Sequence, residues 1–282
     1  MSLENLLEID FASSKLFIMK KRFIAVAMLA IVLLPGCKKV YDYIEIYPAA
    51  DIKICPIMKI ISVGQYGSAD TLIFKYNSWG DPVSVSHSSG PSTGRPDYVF
   101  KYNRQGKLSE LLGVYYMYGT TNDGIFMEYW HKYFYDGTGK IALDSTYIWP
   151  YFQNGVLIDY YGGKMTFYTY DNKERIIKDS TIWTEGHLYG GTGSLITIIV
   201  SNYAYDANGN KVGGSYDQKT SFLRTNKIWM FLHRDYSLNN PFTAESYNSN
   251  GLPTSLNLSV KRGGSNFLDV YFNLAQITYG CR

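Results

Sequence analysis

Apolar and polar side chains alternate along much of the chain, and no stretch shows a sustained apolar period of 3.6 residues. Successive side chains of a β-strand point to opposite faces of a sheet. Leu72, Phe74 and Tyr76 are therefore predicted to share one face, and Ile73 and Lys75 the other. The pattern predicts that the chain beyond its first 37 residues is nearly all strand and turn.

A short motif, Tyr-[Asn/Asp]-x-x-Gly, follows several of these alternating segments. Complete copies begin at Tyr76, Tyr102, Tyr135, Tyr205 and Tyr247, and a copy at Tyr170 has lost the glycine. The Asn or Asp side chain bonds the turn backbone, and glycine accepts the positive φ that closes a short hairpin loop. In the copy without glycine, Asn172 is expected to take the left-handed conformation. Each copy is thus predicted to be a β-hairpin turn whose tyrosine lies on one common sheet face.

The segments around the motif repeat as well. Residues 72–77 match residues 98–103, with Phe, Lys, Tyr and Asn identical. The triplet Asp144-Ser145-Thr146 recurs 35 residues later as Asp179-Ser180-Thr181, and the same spacing separates Tyr135, Tyr170 and Tyr205. We interpret the triplets as turns at strand entry, held by bonds from side chain to backbone.

This unit resembles the Tyr-Asp repeats of the RHS family, large bacterial secreted and surface proteins in which hairpins join into a continuous, curling sheet. The resemblance covers residues of about 70–260, with less regular spacing than in the family. It implies an all-β fold, an array of antiparallel β-hairpins forming a large curled or rolled sheet, and a shared hairpin rather than a shared function. A single hairpin cannot bury its aromatic face, so the units must pair and the sheet must roll or be covered.

A basic and then apolar segment stands near the N-terminus. Residues 19–22, Met-Lys-Lys-Arg, precede twelve uncharged residues, which is the pattern of a secretory signal. Twelve residues are too few to cross a bilayer, which takes roughly 20 in a helix. The segment ends in Leu34-Pro35-Gly36-Cys37, which resembles the lipobox of bacterial lipoproteins and implies that lipid is attached to Cys37.

These signals divide the chain into four parts. Residues 1–18 contain acidic side chains that do not suit the start of a signal, which indicates that translation begins at Met19. Residues 19–37 are interpreted as the signal peptide with its acylated cysteine, 38–51 as a tether and 52–282 as the all-β repeat domain. The expected location is the bacterial cell envelope, on a membrane through the lipid anchor, either periplasmic or at the cell surface, with the outer membrane preferred.

Charge and cysteine content limit the partners. The formal net charge is +3, and removal of residues 1–37 takes away four basic and three acidic residues, which leaves +2. This balance argues against electrostatic binding of nucleic acid. Beyond Cys37 only Cys55 and Cys281 remain, in a compartment that permits disulfides. We predict that they pair, and the alternative is two unrelated buried thiols.

Common catalytic and metal-binding motifs are missing from the sequence. The four histidines, His87, His131, His187 and His233, stand far apart and form no His-x-x-x-His pair, and there is no Cys-x-x-Cys pair. Neither a nucleophile elbow nor a phosphate-binding loop is present. We therefore predict no catalytic residue, metal site or cofactor.

The aromatic residues are the remaining candidates for function, with 27 Tyr, 14 Phe and 5 Trp in the chain. Trp79 and Trp130 are candidates for a stacking platform for sugar rings, and the alternative is that they form cross-strand pairs that stabilise the sheet. We expect a non-catalytic binding or structural module for glycan or protein. A carbohydrate-active hydrolase using scattered carboxylates, such as Asp144 and Asp179, is the alternative. An RHS-like casing ranks last, because the repeats are too few to enclose a domain.

Overall fold

A computed structural model describes residues 55–63, 69–92, 94–116, 126–153, 155–186, 192–257, 265–268, 270–272 and 274–281. These residues fall in one compact unit, Ile54–Arg282. The expected start, the signal with Cys37 and the tether lie outside the described residues, as does His187.

The described residues form mainly β-strands. In chain order these are β1 (Ile57–Val63), β2 (Ala69–Tyr76), β3 (Pro82–His87), β4 (Asp97–Tyr102), β5 (Leu108–Tyr116), β6 (Phe126–Tyr135), β7 (Ile141–Ile148), β8 (Tyr151–Gln153), β9 (Val156–Asp159), β10 (Gly162–Tyr170), β11 (Ile176–Glu185), β12 (Leu195–Asn202), β13 (Ser246–Tyr247), β14 (Pro253–Asn257), β15 (Ser265–Phe267), β16 (Val270–Phe272) and β17 (Leu274–Tyr279). One turn of 3-10 helix (Phe222–Thr225) leads into a short α-helix, α1 (Lys227–His233).

Thirteen strands form one antiparallel sheet, in the order β12-β11-β10-β7-β6-β5-β4-β3-β2-β1-β17-β14-β13. From β1 to β12 the chain runs back and forth between neighbours, with β8 and β9 as a separate hairpin between β7 and β10. The C-terminal strand β17 returns to pair with β1. Among the described strands the sheet is open, with β12 and β13 at its two ends. The predicted all-β array of antiparallel hairpins is confirmed.

The motif turns lie where the sequence predicts them. In the first copy the Gly80 N–H donates to the Asn77 carbonyl at 3.1 Å, and the Asn77 Oδ1 accepts from the backbone N–H of Trp79 and Asp81 at 2.9 and 3.0 Å. The same pair of side-chain bonds recurs at Asn103, Asp136, Asp171 and Asn248. The glycines of the five complete copies have φ between 71° and 88°. In the copy at Tyr205 the backbone bonds of the turn remain, and the described residues beside it pair as a single bridge between Tyr205 and Lys211.

A β-bulge at the motif tyrosine explains where the left-handed residue falls. Tyr76 is paired with Pro82 although Lys75 is paired with Ser84, and the same shift occurs in the hairpins of Tyr102, Tyr135 and Tyr170. A type I turn followed by one left-handed residue builds this kind of hairpin. The left-handed residue is the fourth after the tyrosine. In the copy without glycine this position is Glu174, which has the left-handed conformation with φ 60°. The expectation that Asn172 does so was wrong.

The motif tyrosines bond each hairpin to the preceding part of the sheet. Each hydroxyl donates to the carbonyl of a residue that begins a neighbouring strand: Tyr76 to Ile57, Tyr102 to Pro82, Tyr135 to Leu108 and Tyr170 to Ile141, at 2.5–2.8 Å. A cation that follows one turn also lies over the tyrosine ring of the next hairpin, as for Lys107 on Tyr135, Lys140 on Tyr170 and Arg175 on Tyr205. Each repeat is thus a hairpin together with a tyrosine link, by which we mean the hydrogen bond from the motif tyrosine to the carbonyl of the neighbouring strand.

One face of the sheet, which we call the inner face, carries Phe74, Phe100 and Tyr133 and is covered by α1. The Trp229 ring of the helix lies 5.7 Å from both Phe74 and Phe100, and Phe231 lies 5.5 Å from Tyr133. Lys75, Lys101 and Phe134, which alternate with these positions, are exposed on the opposite, outer face. The predicted phase of the strands is confirmed, and the cover that the aromatic face needs includes a helix.

The helix is a departure from the predicted chain of strands and turns. Four consecutive residues of α1, Ile228–Phe231, are buried, so its sequence has no polar stripe from which a 3.6-residue period can be read. The Asn226 Oδ1 caps the helix by accepting from the Ile228 N–H at 2.9 Å, and its Nδ2 donates to the Gly80 carbonyl. A left-handed Arg234, with φ 49°, ends it. Tertiary contacts therefore determine this element.

A disulfide joins Cys55, just before β1, to Cys281, just after β17. Ile57 is paired with Tyr279 in the sheet, which brings the two cysteines to the same end of adjacent strands. Their Cα atoms lie 3.9 Å apart, so the separation does not exceed the limit of about 7 Å beyond which no bridge can form. The structure therefore pairs the cysteines as the sequence predicts, and the bridge fastens the two ends of the described unit.

Candidate functional site

A cavity of about 510 Å³, which we call the inner cleft, lies on the inner face beside the C-terminal end of α1. Strands β6, β7 and β10 supply much of its floor, and the segment from Phe231 to Arg234 lines it from the helix side. It combines tyrosine rings with His131, Asp144, Lys164 and Arg234. The inner cleft is therefore both aromatic and charged.

The period of β6 explains why three ring side chains meet in the inner cleft. Tyr129, His131 and Tyr133 are two residues apart and so point to the same face. The sheet register then places His131 directly opposite Thr146 of β7, and Tyr133 opposite Asp144. Because all of these residues sit on regular strands, their side chains are held by the backbone rather than by a mobile loop.

His131, Asp144 and Thr146 form a hydrogen-bonded group in the floor of the cleft. The His131 Nδ1 lies 3.0 and 2.9 Å from the two carboxylate oxygens of Asp144 and 2.9 Å from the Thr146 Oγ1. The Thr146 hydroxyl also donates to the Asp144 Oδ1 at 3.1 Å. The Asp144 side chain is 7 % exposed and that of His131 is 23 % exposed. A nearly buried carboxylate therefore orients a more accessible imidazole.

The proton arrangement of this group follows from its acceptors. A carboxylate only accepts hydrogen bonds, so the Nδ1 of His131 carries a proton that it donates to Asp144. In the neutral imidazole the Nε2 is then left as an acceptor. A ligand hydroxyl can donate to this nitrogen, and a substrate proton can be transferred to it.

Aromatic rings surround His131. The imidazole stacks on Tyr133 with centroids 6.0 Å apart and an interplanar angle of 15°, and meets Tyr129 edge-on at 5.1 Å. The buried Tyr133 hydroxyl has no hydrogen-bond partner among the described residues. Burial, aided by the nearby Asp144 carboxylate, raises the pKa of Tyr133 well above its usual value. Tyr133 thus keeps its proton as a donor beside the inner cleft.

Tyr129 depends on a glycine in the neighbouring strand. Gly113 of β5 is paired with Tyr129, and a Cβ at this position would lie only 2.7 Å from the Tyr129 Cζ and 3.0 Å from the Pro96 Cγ. No real side chain tolerates such a contact without movement of its neighbours. The missing side chain of Gly113 therefore makes room for a ring that lines the cleft.

Arg234 borders the cleft where α1 ends. Its Nε lies 3.1 Å from the Asp179 Oδ2, which also accepts from the Tyr203 hydroxyl at 2.6 Å, and its guanidinium lies over the Tyr168 ring. Partial burial lowers the pKa of Arg234, but Tyr168 and Asp179 outweigh this effect and hold it above its usual value. The cleft thus has a permanently charged group at its rim.

The structure separates the two carboxylates that the sequence offered for catalysis. Asp144 and Asp179 both lie on the inner face, but β10 stands between their strands, and they are bonded to His131 and Arg234 respectively. Both residues are buried inside β7 and β11. The interpretation of the Asp-Ser-Thr triplets as turns at strand entry was therefore wrong, because the motif turns end before these positions.

The two tryptophans of the predicted stacking platform lie in different parts of the sheet. Trp79, 75 % exposed, sits in the turn between β2 and β3. Trp130 lies on β6, three strands from β3, which corresponds to about 14 Å across the sheet. Its Nε1 donates to Glu110, and its ring packs on Tyr147 of the neighbouring strand β7 and on Phe152 of β8. Trp130 is therefore a cross-strand packing residue, which was the alternative interpretation.

A second histidine group ties down the loop after β3. The His87 Nδ1 lies 2.5 Å from the Asp70 Oδ2, to which Arg95 also donates, and Ser89 donates to the Asp70 Oδ1 at 3.1 Å. Burial acts to raise the pKa of Asp70, but the bonds from His87 and Arg95 outweigh it and hold the pKa well below its usual range. The Arg95–Asp70 ion pair, together with the bonds from His87 and Ser89 to Asp70, positions the loop.

His131 was not predicted from the sequence to belong to a site, although the hairpin register contains the information that places it there. Once the turn after Tyr135 is placed with its bulge, counting outward along β6 and β7 sets His131 opposite Thr146 and next to Asp144. No comparable count brings Arg234 to this position, because α1 has no period in the sequence.

Comparison of the chain with models of protein families and with curated proteins finds no match. Within the described ranges no group of three or more His, Cys, Asp and Glu side chains is arranged to hold a metal ion. No helix among the described residues has both the length and the apolar character needed to cross a membrane.

Proposed function

We propose that this chain is a lipid-anchored, extracytoplasmic lipoprotein of the bacterial cell envelope, and that its all-β domain is a non-catalytic binding module. The signal-like segment and the lipobox-like Leu34-Pro35-Gly36-Cys37 support the anchor. The inner cleft supports the binding role, with glycan as the ligand. A protein ligand is the other class that the same module would serve.

The observation that carries the proposal is the mixture of groups in the inner cleft. Ligand pockets commonly enclose about 300–1,000 Å³ and combine apolar walls with a few well-placed polar groups. The cleft, of about 510 Å³, offers the rings of Tyr129 and Tyr133 and the polar atoms of His131 and Arg234. A sugar ring has an apolar face that packs on aromatic rings and hydroxyls that bond such polar groups.

Parallel screens for glycan binding and glycan cleavage test the proposal. The detergent-purified full-length protein is applied to a glycan array, and the same sugars are incubated with it and analysed for products. We expect at least one class of glycan to bind and to remain intact. Binding to no glycan would reject this ligand class and leave a protein as the ligand.

A hydrolase remains the second candidate because of the His131–Asp144 pair. A carboxylate that orients an imidazole through Nδ1 and leaves Nε2 free is the arrangement of a general base. If the cleft hydrolyses its ligand, products appear in the cleavage screen and disappear with His131→Ala. Intact sugars with the wild-type protein would exclude this function for the glycans tested.

The anchor has its own test. Mass spectrometry of the protein purified from membranes is expected to show a mature chain that begins at Cys37 and carries the mass of attached lipid. An unmodified Cys37, or a mature N-terminus elsewhere, would contradict the proposed location without affecting the proposed ligand site.

A further inference from the structure

Strand β12 has the properties of a pairing edge. Among the described strands it ends the sheet, and it is bonded on one side only, to β11. The residues Leu195–Val200 are all exposed, with four of the apolar side chains at 52–58 %. The strand contains no charged residue, proline or glycine. Sheet edges are usually protected by charged residues or proline, or kept short, as β13 is at the opposite end with two residues.

The apolar surface of β12 continues onto the outer face of the sheet. Ile198 is paired with Ile182, and Ile182 in turn with Met165; Val200 lies in a second row with Ser180 and Phe167. Met165 and Phe167 are 39 and 45 % exposed. An exposed apolar strip thus leads across three strands to a backbone edge that pairs with no further strand among the described residues.

We propose that β12 is a dimerisation strand, which pairs in antiparallel orientation with β12 of a second copy of this chain about a two-fold axis. The two open sheets then join into one continuous sheet, with the apolar strips of both copies on its outer face. The backbone bonds supply the pairing, as in other strand additions at sheet edges, and the side chains set the register.

A second copy fits this edge better than an unrelated strand for two reasons. A two-fold axis perpendicular to the sheet keeps the outer faces of both copies on the same side. If the axis passes at Ile198, the Ile198 residues of the two copies lie opposite each other, and Val200 of each copy lies opposite Ile196 of the other. These are apolar pairs of β-branched side chains, which stabilise antiparallel strands. Because β12 is uncharged, self-pairing also places no like charges opposite each other, and the two-fold contact closes at the dimer.

Sedimentation equilibrium of the full-length protein in a density-matched detergent tests the proposal. The wild type is expected to be a dimer at micromolar concentration. Ile198→Lys places two lysines opposite each other at the axis and should weaken the dimer by about 10-fold or more. Ile158→Lys is the matched control, because Ile158 is exposed to 56 %, close to the 58 % of Ile198, but lies on β9, outside the large sheet.

Far-UV circular dichroism checks that the variants fold, and Val200→Lys provides a second disruption of the same edge. Amide hydrogen exchange adds a positive readout, since β12 amides of the wild type should become more protected as protein concentration rises. The proposal would be overturned if the wild type stays monomeric up to about 100 μM or assembles into species larger than a dimer. It would also be overturned if the Ile198→Lys variant dimerises as strongly as the wild type. None of these outcomes bears on glycan binding in the inner cleft.

Discussion

Gly80→Ala and Glu174→Gly are reciprocal substitutions at equivalent turn positions of two hairpins. Gly80 has φ 80°, and Glu174 has φ 60° in the same place after its tyrosine. A Cβ at Gly80 would meet nothing within 4 Å, so the cost of an alanine there is backbone strain alone. The pair thus isolates the contribution of the left-handed conformation from that of packing.

The magnitudes follow from two opposing effects. The left-handed conformation costs a residue with a Cβ about 1–2 kcal/mol, while replacing glycine restricts the unfolded chain and returns about 0.4–1 kcal/mol. Gly80→Ala should therefore destabilise the domain by about 1 kcal/mol. Glu174→Gly should stabilise it by about 0.5–1 kcal/mol, since the exposed contact of Glu174 with Lys140, at 3.6 Å, contributes little.

Urea unfolding followed by tryptophan fluorescence measures both changes. Ser78→Ala is the matched control, because Ser78 is exposed in the same turn as Gly80 and has no positive φ. Its effect should stay within about 0.5 kcal/mol. A destabilising Glu174→Gly, or a Gly80→Ala no worse than Ser78→Ala, would refute the assignment of the bulge position.

Three further predictions concern the tyrosine links and the disulfide. Tyr102→Phe removes the hydrogen bond to the Pro82 carbonyl and should lower the free energy of unfolding in urea by about 0.5–1.5 kcal/mol. Tyr151→Phe is the control, because Tyr151 is 55 % exposed and its substitution should not change the stability measurably. Equal losses of stability in the two variants would contradict the tyrosine link. Burial raises the pKa of Tyr135 from 10.0 to about 12, so its stabilisation is complete below pH 10 and is lost as the pH rises from 10 through 12. The urea midpoint should fall over this range, less steeply in Tyr135→Phe, and identical slopes would argue against a buried phenol. Cys281→Ser opens the bridge between residues 226 apart and should lower stability by up to roughly 5 kcal/mol in the chain-entropy estimate, and an unchanged urea midpoint would show that the bridge does not form.

The repeat could be predicted from the sequence because its information is local. The turn chemistry of Asn77 and Gly80 and the period-two phase of Phe74 and Tyr76 are contained within a few residues, and the structure confirms the hairpins and their common face. The bulge was missed, although a type I turn demands it, and so the left-handed residue was assigned to Asn172 instead of to a position two residues later.

The site could be predicted only in part, because its groups come from distant segments. His131 and Asp144 face each other through the register of one hairpin, which a count from the turn recovers. Arg234 and Phe231 reach the same cleft through α1, a helix of seven residues that is buried on several sides and has no amphipathic pattern. Trp79 and Trp130 were predicted from residue type alone to form a platform, but the strand order places them apart.

Glycan binding by cleft and surface variants is the measurement that tests most directly whether the inner cleft is the ligand site. The full-length wild type, His131→Ala and Trp79→Ala are compared at equal concentrations on the same glycan array, after thermal melts show that each is folded. We predict that His131→Ala loses at least 10-fold in affinity for a bound glycan while Trp79→Ala binds as the wild type does. Unchanged binding by His131→Ala, with loss in Trp79→Ala, would place the ligand on the exposed turn and contradict the assignment of the cleft.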